Sequence, residues 1–150
     1  MSRKKYYLKE NWNENTLETL LNKKITLMSQ GDNSYLIVTC NNLHKKVIKH
    51  FEIEDLRIMI GQNIGLKYLI PLAIEELKKN ILAEGHFYEG DLLKSVLTSD
   101  EKFWSTETEN WNIIVDLLEQ NKHKIENFDT SDSIRTNIMT ALIEFKKINN

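Results

Sequence analysis

Apolar residues recur at intervals of three and four along most of the chain, the spacing that places them on one face of an α-helix. Several of these segments begin at a candidate N-cap such as Ser34, or end near a glycine such as Gly61. The segments fall at about residues 34–48, 53–61, 67–81, 91–97, 111–125 and 130–148. The pattern predicts an all-α protein, a single-domain compact bundle of about six helices spanning residues 1–150.

The only proline of the chain, Pro71, falls inside the most apolar segment, GQNIGLKYLIPLAIEEL at residues 61–77. A proline in a helix interior removes one backbone hydrogen bond and costs about 3 kcal/mol or more. The cost is smallest at the start of a helix, where backbone N–H groups have no acceptor within the helix. A helix that begins near Lys67 places Pro71 in or just after its first turn, so we expect an early-helix proline or a mild kink.

The sequence pattern of one N-terminal segment fits either a strand or a helix. In KKITLMSQGDNSYLIV, residues 23–38, apolar and polar residues alternate ahead of a glycine turn, as in a short hairpin. The second apolar run continues as a helical pattern, with Ser34 as its candidate N-cap. We therefore expect a short irregular or hairpin segment ahead of this helix.

Charge is distributed unevenly along a chain whose net charge is only −2. From Glu84 to Glu119 there are nine acidic and two basic residues, so this segment carries −7 and the remainder of the chain +5. Such an imbalance can steer a partner of opposite charge. The alternative is a solvated acidic face that binds nothing.

Few residues are arranged for catalysis. No P-loop, GxGxxG, GxSxG or HExxH motif is present, and the single cysteine, Cys40, cannot assemble a thiolate zinc site. The densest polar cluster, EGHFYEGD at residues 84–91, includes His86 and Glu89, which could act as general acid and base in a small hydrolase. A glycine-containing loop followed by Asp91 as a helix cap or first-turn acid explains the same residues. The sequence favours a binding protein without catalytic residues, metal or cofactor.

Composition also bears on location. One cysteine cannot form an internal disulfide, which suits a reducing cytosol, and no apolar stretch approaches the roughly 18 residues of a membrane span. The few basic residues near the N-terminus accompany no recognised nucleic-acid-binding module. We expect a cytoplasmic protein that contacts neither membranes nor nucleic acid directly.

Two neighbouring blocks carry a family resemblance. IEDLRIMIGQNIGLKYLIPLAIEEL and LAEGHFYEGDLLKSVL, with FW just beyond, resemble the immunity proteins of contact-dependent growth inhibition (CDI) systems, the CdiI proteins. The upstream LETLLNKK and SYLIVTCNNLHKK are also similar to that family. The resemblance covers residues 16–104, and the C-terminal helices expected in residues 105–150 lie outside it.

The resemblance implies a protein that binds the C-terminal toxin domain of a cognate CDI exoprotein, CdiA, and blocks it without chemistry of its own. Many such toxins are nucleases, whose substrate clefts are basic because they neutralise phosphates. The charge pattern then suggests acids that flank one short helix and share an exposed end of the bundle. The candidate toxin-binding residues are Glu84, Glu89, Asp91, Asp100 and Glu101. A helical adaptor or regulator without a toxin partner is the alternative function.

Overall fold

The computed structural model describes residues 11–22 and 34–150. In these ranges the chain forms nine α-helices, two 3-10 turns (Trp12–Glu14 and Ile48–His50) and no β-strand. The helices are α1 (Leu17–Leu20), α2 (Tyr35–His44), α3 (Ile53–Gly61), α4 (Leu66–Lys79), α5 (Asp91–Leu97), α6 (Glu101–Thr106), α7 (Thr108–Gln120), α8 (Lys122–Asn127) and α9 (Asp132–Lys147).

The all-α prediction is confirmed for the described part of the chain. Five of the six periodic segments coincide with single helices, whereas the segment at residues 111–125 is divided at Asn121 between α7 and α8. Helices α1 and α6, which have four and six residues, fall outside the predicted segments. Helices this short contain fewer than two turns, so they show no apolar repeat in the sequence.

The chain divides into two compact units, Met1–Phe51 and Glu52–Asn150. That residues 1–150 form a single domain therefore stays a prediction. The expected hairpin or irregular segment lies mostly in residues 23–33, outside the described residues. None of the helices in residues 11–22 and 34–150 combines the length and the apolar character that a membrane crossing requires.

In the described part of the first unit, side-chain caps start α1 and α2. The Thr16 hydroxyl accepts a hydrogen bond from Thr19 N–H at 3.2 Å, and the Ser34 hydroxyl accepts one from Ile37 N–H at 3.2 Å. The second cap confirms the predicted helix start. Cys40 on α2 is half-buried, and this burial raises the pKa of its thiol, which disfavours the reactive thiolate.

The second unit is built around α4 and α5. Helix α3 packs against both of them, α5 also packs against α9, and α4 against α7. The buried residues of α4 follow the predicted stripe and are Leu66, Leu69, Ile70, Ala73, Ile74 and Leu77. Helix α5 is apolar on the faces that meet its neighbours, with Leu92, Leu93 and Val96 fully buried. This core fixes both ends of the connection between α4 and α5.

Pro71 is the sixth residue of α4, so it lies in the second turn and five positions after the most favourable position, the first residue of the helix. It cannot donate a hydrogen bond to the carbonyl of Lys67, four residues earlier. The predicted position of the proline in the helix is nearly correct. The helix starts at Leu66, one residue before the predicted start, and continues through Pro71.

Aromatic residues of α6, α7 and α9 pack together in the core of the second unit. The fully buried Trp104 donates its indole N–H to the Ser99 hydroxyl at 2.8 Å and meets Phe145 edge to face, with ring centres 5.0 Å apart. Trp111 donates its indole N–H to the Phe145 carbonyl at 3.0 Å. Both indole donors are thus satisfied within the core, and α9 is attached to the segment that contains α6 and α7.

Candidate protein-binding site

The connection from α4 to α5 folds into a tight loop. The side chain of Asn80, just after α4, accepts a hydrogen bond from Leu82 N–H at 3.0 Å, and Leu82 in turn accepts one from Gly90 N–H at 3.1 Å. Glu84 and Glu89 pair across the loop as an isolated antiparallel bridge. Residues 84–89, here called the 84–89 loop, therefore project from a closed base.

Asp91, the first residue of α5, accepts hydrogen bonds from the backbone of this loop. Its side chain is only 3% exposed. One carboxylate oxygen accepts a hydrogen bond from Gly85 N–H at 2.6 Å, and the other accepts from Phe87 N–H at 2.9 Å and from Tyr88 N–H at 3.3 Å. A single buried carboxylate thus satisfies three backbone donors of the loop.

Glu54 supplies the remaining contact from a distant part of the sequence. It lies in the first turn of α3, and its Oε1 accepts a hydrogen bond from His86 N–H at 2.8 Å, 32 residues later. Together, Glu54 and Asp91 accept hydrogen bonds from four consecutive backbone N–H groups, those of residues 85–88. Hydrogen bonds to these two side chains therefore hold the backbone of the loop in place.

Arg57 compensates part of the charge of the two buried acids. Its guanidinium forms a two-pronged pair with Glu54, with Nε 2.7 Å from Oε1 and Nη2 2.6 Å from Oε2, and its Nε lies 3.8 Å from Asp91 Oδ2. The hydrogen bonds from Arg57 hold the pKa of Glu54 below its ordinary value, and those to Glu54 raise the pKa of Arg57. Both groups therefore stay charged, as a buried ion pair with good geometry requires.

Two glycines allow this arrangement for different reasons. A Cβ atom at Gly85 would lie 2.6 Å from Glu54 Oε1, which Arg57 holds in place, so the close approach of the backbone to the carboxylate requires a glycine. Gly90 has a φ of +92°, a conformation that residues with a side chain rarely adopt. Gly85 does not have a positive φ, so the two glycines are required for different physical reasons.

The five predicted acids fall into different environments. Glu84 and Glu89 are exposed on the 84–89 loop. Asp91 is buried and occupied by the loop backbone, which corrects its placement among the surface acids: its short side chain at the first position of α5 points back to the loop and not to solvent. Asp100 caps α6 by accepting a hydrogen bond from Lys102 N–H at 3.0 Å, and the adjacent Glu101 is exposed.

Helix α5 separates the exposed acids into two groups. Glu84 and Glu89 precede its N-terminal end, whereas Asp100 and Glu101 follow its C-terminal end. Seven helical residues extend about 10 Å. The exposed acids therefore flank α5 as two pairs, as the sequence predicted, and their sharing of one exposed end of the bundle stays a prediction.

The residues that the sequence analysis missed are Glu54 and Arg57. Their spacing of three positions is that of an ordinary surface ion pair on a helix, which gives no sign of the loop that they hold. The hydrolase hypothesis gains no support from this geometry, because the carboxylate nearest to His86 is that of Glu54, 3.6 Å from Nδ1, and Arg57 already binds it. Across residues 11–22 and 34–150, no three His, Cys, Asp or Glu residues are grouped so that they could hold a metal ion.

Replacing Glu54 with Gln tests the importance of the buried pair. We expect Glu54→Gln to lower the free energy of unfolding by about 2 to 4 kcal/mol at neutral pH, because Arg57 and the loop lose a charged acceptor. Since folding lowers the pKa of Glu54, its contribution is present above the ordinary glutamate pKa of 4.5 and is lost as the pH falls through the folded-state pKa. The difference between wild type and variant should therefore shrink in acid.

Glu75→Gln provides the matched control for denaturant unfolding at several pH values. Glu75 pairs with Lys78 at the same three-residue spacing, but both side chains are exposed, so this variant should unfold almost as the wild type does. Equal losses in the two variants, or a Glu54→Gln loss that does not change between pH 7 and pH 3, would contradict the proposed role of the buried pair.

Comparison with known proteins agrees with the resemblance found in the sequence. A family model described as CDI immunity proteins, CdiI_3, matches residues 19–114, which is more than half of the chain. The match includes α3, α4, the 84–89 loop, α5 and α6, and extends into α7. No curated protein matches the chain. The chain belongs to the family of CDI immunity proteins.

Proposed function

We propose that this protein binds the C-terminal toxin domain of its cognate CDI exoprotein in the cytoplasm and neutralises it by occupying its surface. Family membership is the observation that carries the proposal. Inhibition is stoichiometric, and the protein performs no reaction, requires no cofactor and does not contact nucleic acid directly.

The distribution of charge supports a basic partner. Most acids of residues 84–119 reach solvent: Glu84, Glu89, Asp100, Glu101, Glu109, Asp116 and Glu119. Asp91 is buried, and Glu107 is half-buried, with its pKa raised by burial. Glu119 is paired with Lys146, so it contributes little to the external field. The remaining six exposed acids outnumber the two bases of these residues, Lys94 and Lys102, so the exposed surface of residues 84–119 attracts cations.

A nuclease toxin fits this surface best. Its substrate cleft must neutralise phosphate groups, so the cleft presents Lys and Arg side chains. Exposed carboxylates can occupy such a cleft in place of phosphates, and the attraction accelerates association as well as selecting the partner. Glu84 and Glu89 on one side of α5, and Asp100 and Glu101 on the other, are the candidate contacts.

The mode of inhibition can be tested by titration. The toxin domain encoded directly upstream is held at a fixed concentration well above the dissociation constant, and its activity is measured as this protein is added. We expect activity to fall linearly and to reach zero at a fixed molar ratio, because each complex consumes one inhibitor. Inactivation of many toxin molecules by one molecule of this protein would show a catalytic mode. Failure to inhibit would favour the adaptor or regulator instead.

Charge reversal tests the role of the exposed acids. We expect Glu89→Lys combined with Asp100→Lys to slow association with the toxin domain and to flatten its dependence on salt, because steering acts through long-range charge. Association rates are measured by stopped flow at low and high ionic strength, with circular dichroism to verify the fold.

A control with the same change in net charge separates position from total charge. Glu75→Lys combined with Glu144→Lys reverses two exposed acids outside residues 84–119. This variant should retain more of the wild-type association rate. If both double variants slow association equally, net charge alone steers the toxin. If neither slows it, the acidic surface has no part in recognition.

A further inference from the structure

The tip of the 84–89 loop presents an aromatic ring to solvent. The Phe87 side chain is 69% exposed. In residues 52–150, all of which are described, Ile143 of α9 is the only other exposed large apolar residue, and it is less exposed, at 51%. A single exposed apolar residue is common in soluble proteins, so exposure alone does not indicate a binding site. The rigid loop that carries the ring and the charged residues around it do.

The backbone that carries this ring is held unusually firmly for a loop tip. The N–H groups of Gly85, His86, Phe87 and Tyr88 all donate to buried carboxylates, and Glu84 and Glu89 pair across the base. Loop tips normally lose conformational freedom when they bind a partner, which weakens binding. Here that freedom is already lost in the free protein.

The surroundings of the ring indicate the chemistry of its partner. The guanidinium carbon of Arg57 lies 4.2 Å from the centre of the Phe87 ring, so one face of the ring is covered and its orientation is set. The exposed acids Glu84 and Glu89 flank it in sequence and in the loop. An aromatic ring bordered by carboxylates complements an apolar pocket bordered by Lys and Arg side chains.

We infer that the 84–89 loop is a preorganised binding loop whose Phe87 ring inserts into an apolar pocket, bordered by basic side chains, on the toxin domain. This inference rests on the proposed function and assigns its main contact. Phe87 is the anchor, as rigid aromatic residues in protein interfaces often are. Glu54, Arg57 and Asp91 are positioning residues, which act on the toxin only through the loop.

The acids and the ring have different kinetic roles in this arrangement. Glu84 and Glu89 act during approach, so they influence the association rate. The buried ring acts after docking, so it influences the dissociation rate. The two contributions can therefore be measured separately in one binding experiment.

The test compares Phe87→Ala with the wild type in binding to the toxin domain encoded directly upstream, made inactive by substitution of a catalytic residue. Phe87→Ala should raise the Kd by about thirtyfold or more, mainly through faster dissociation. Ile143→Ala, which removes an exposed apolar side chain from α9, should change the Kd less than threefold. Both variants should retain the wild-type helical circular dichroism spectrum.

A double-mutant cycle tests the positioning role. Asp91→Asn keeps the size of the side chain but replaces a carboxylate oxygen that accepts backbone hydrogen bonds with an NH₂ group that cannot. It should weaken binding when Phe87 is present and weaken it much less in the Phe87→Ala background, because the rigid loop serves to present the ring. Purely structural damage from Asp91→Asn would weaken binding by the same factor in both backgrounds.

The outcomes separate this inference from the proposed function. If the wild type binds and neutralises the toxin while Phe87→Ala binds within threefold of it, the loop is not the anchor and the proposed function stands. Equal effects of Asp91→Asn in both backgrounds would remove the positioning role. If the wild type neither binds nor protects against the toxin, the proposed function itself fails.

Discussion

The arrangement of the candidate site depends on two buried carboxylates whose hydrogen bonds are made by backbone N–H groups. Asp91 and Glu54 would be costly to bury alone, because a charge without partners is unstable in the protein interior. The loop donates four N–H groups to them and Arg57 neutralises part of their charge. In turn, the carboxylates satisfy loop donors that have no helix or strand to pair with. Each group is stable because the other is present.

This mutual dependence links the core to the surface. Glu54 and Arg57 are fixed by α3, and Asp91 by α5, and these two helices pack against each other. The position of the loop is therefore set by core packing, although its side chains face solvent. A core of this kind can hold the loop constant while the exposed side chains vary to suit different partners, which is how a rigid scaffold commonly supports specificity.

The sequence predicted the parts of this structure that depend on local pattern. The apolar spacing of α4, the Ser34 cap and the six longer helices all follow from residues within one or two turns of each other. The sequence could not predict that Glu54 binds the backbone of His86, 32 residues away, or that Asp91 is buried, because both depend on how α3 and α5 pack. The exposed acids and their positions on both sides of α5 were predicted, because the helix at residues 91–97 shows its own apolar pattern.

Amide hydrogen exchange measures directly whether the 84–89 loop is rigid in the free protein. The amides of Gly85, His86, Phe87 and Tyr88 donate to buried carboxylates, so they should exchange only when the local structure opens. We predict that, near neutral pH and without a partner, all four amides exchange about as slowly as the hydrogen-bonded amides of α5. Exchange at the rate of an unstructured peptide, while α5 stays protected, would contradict it.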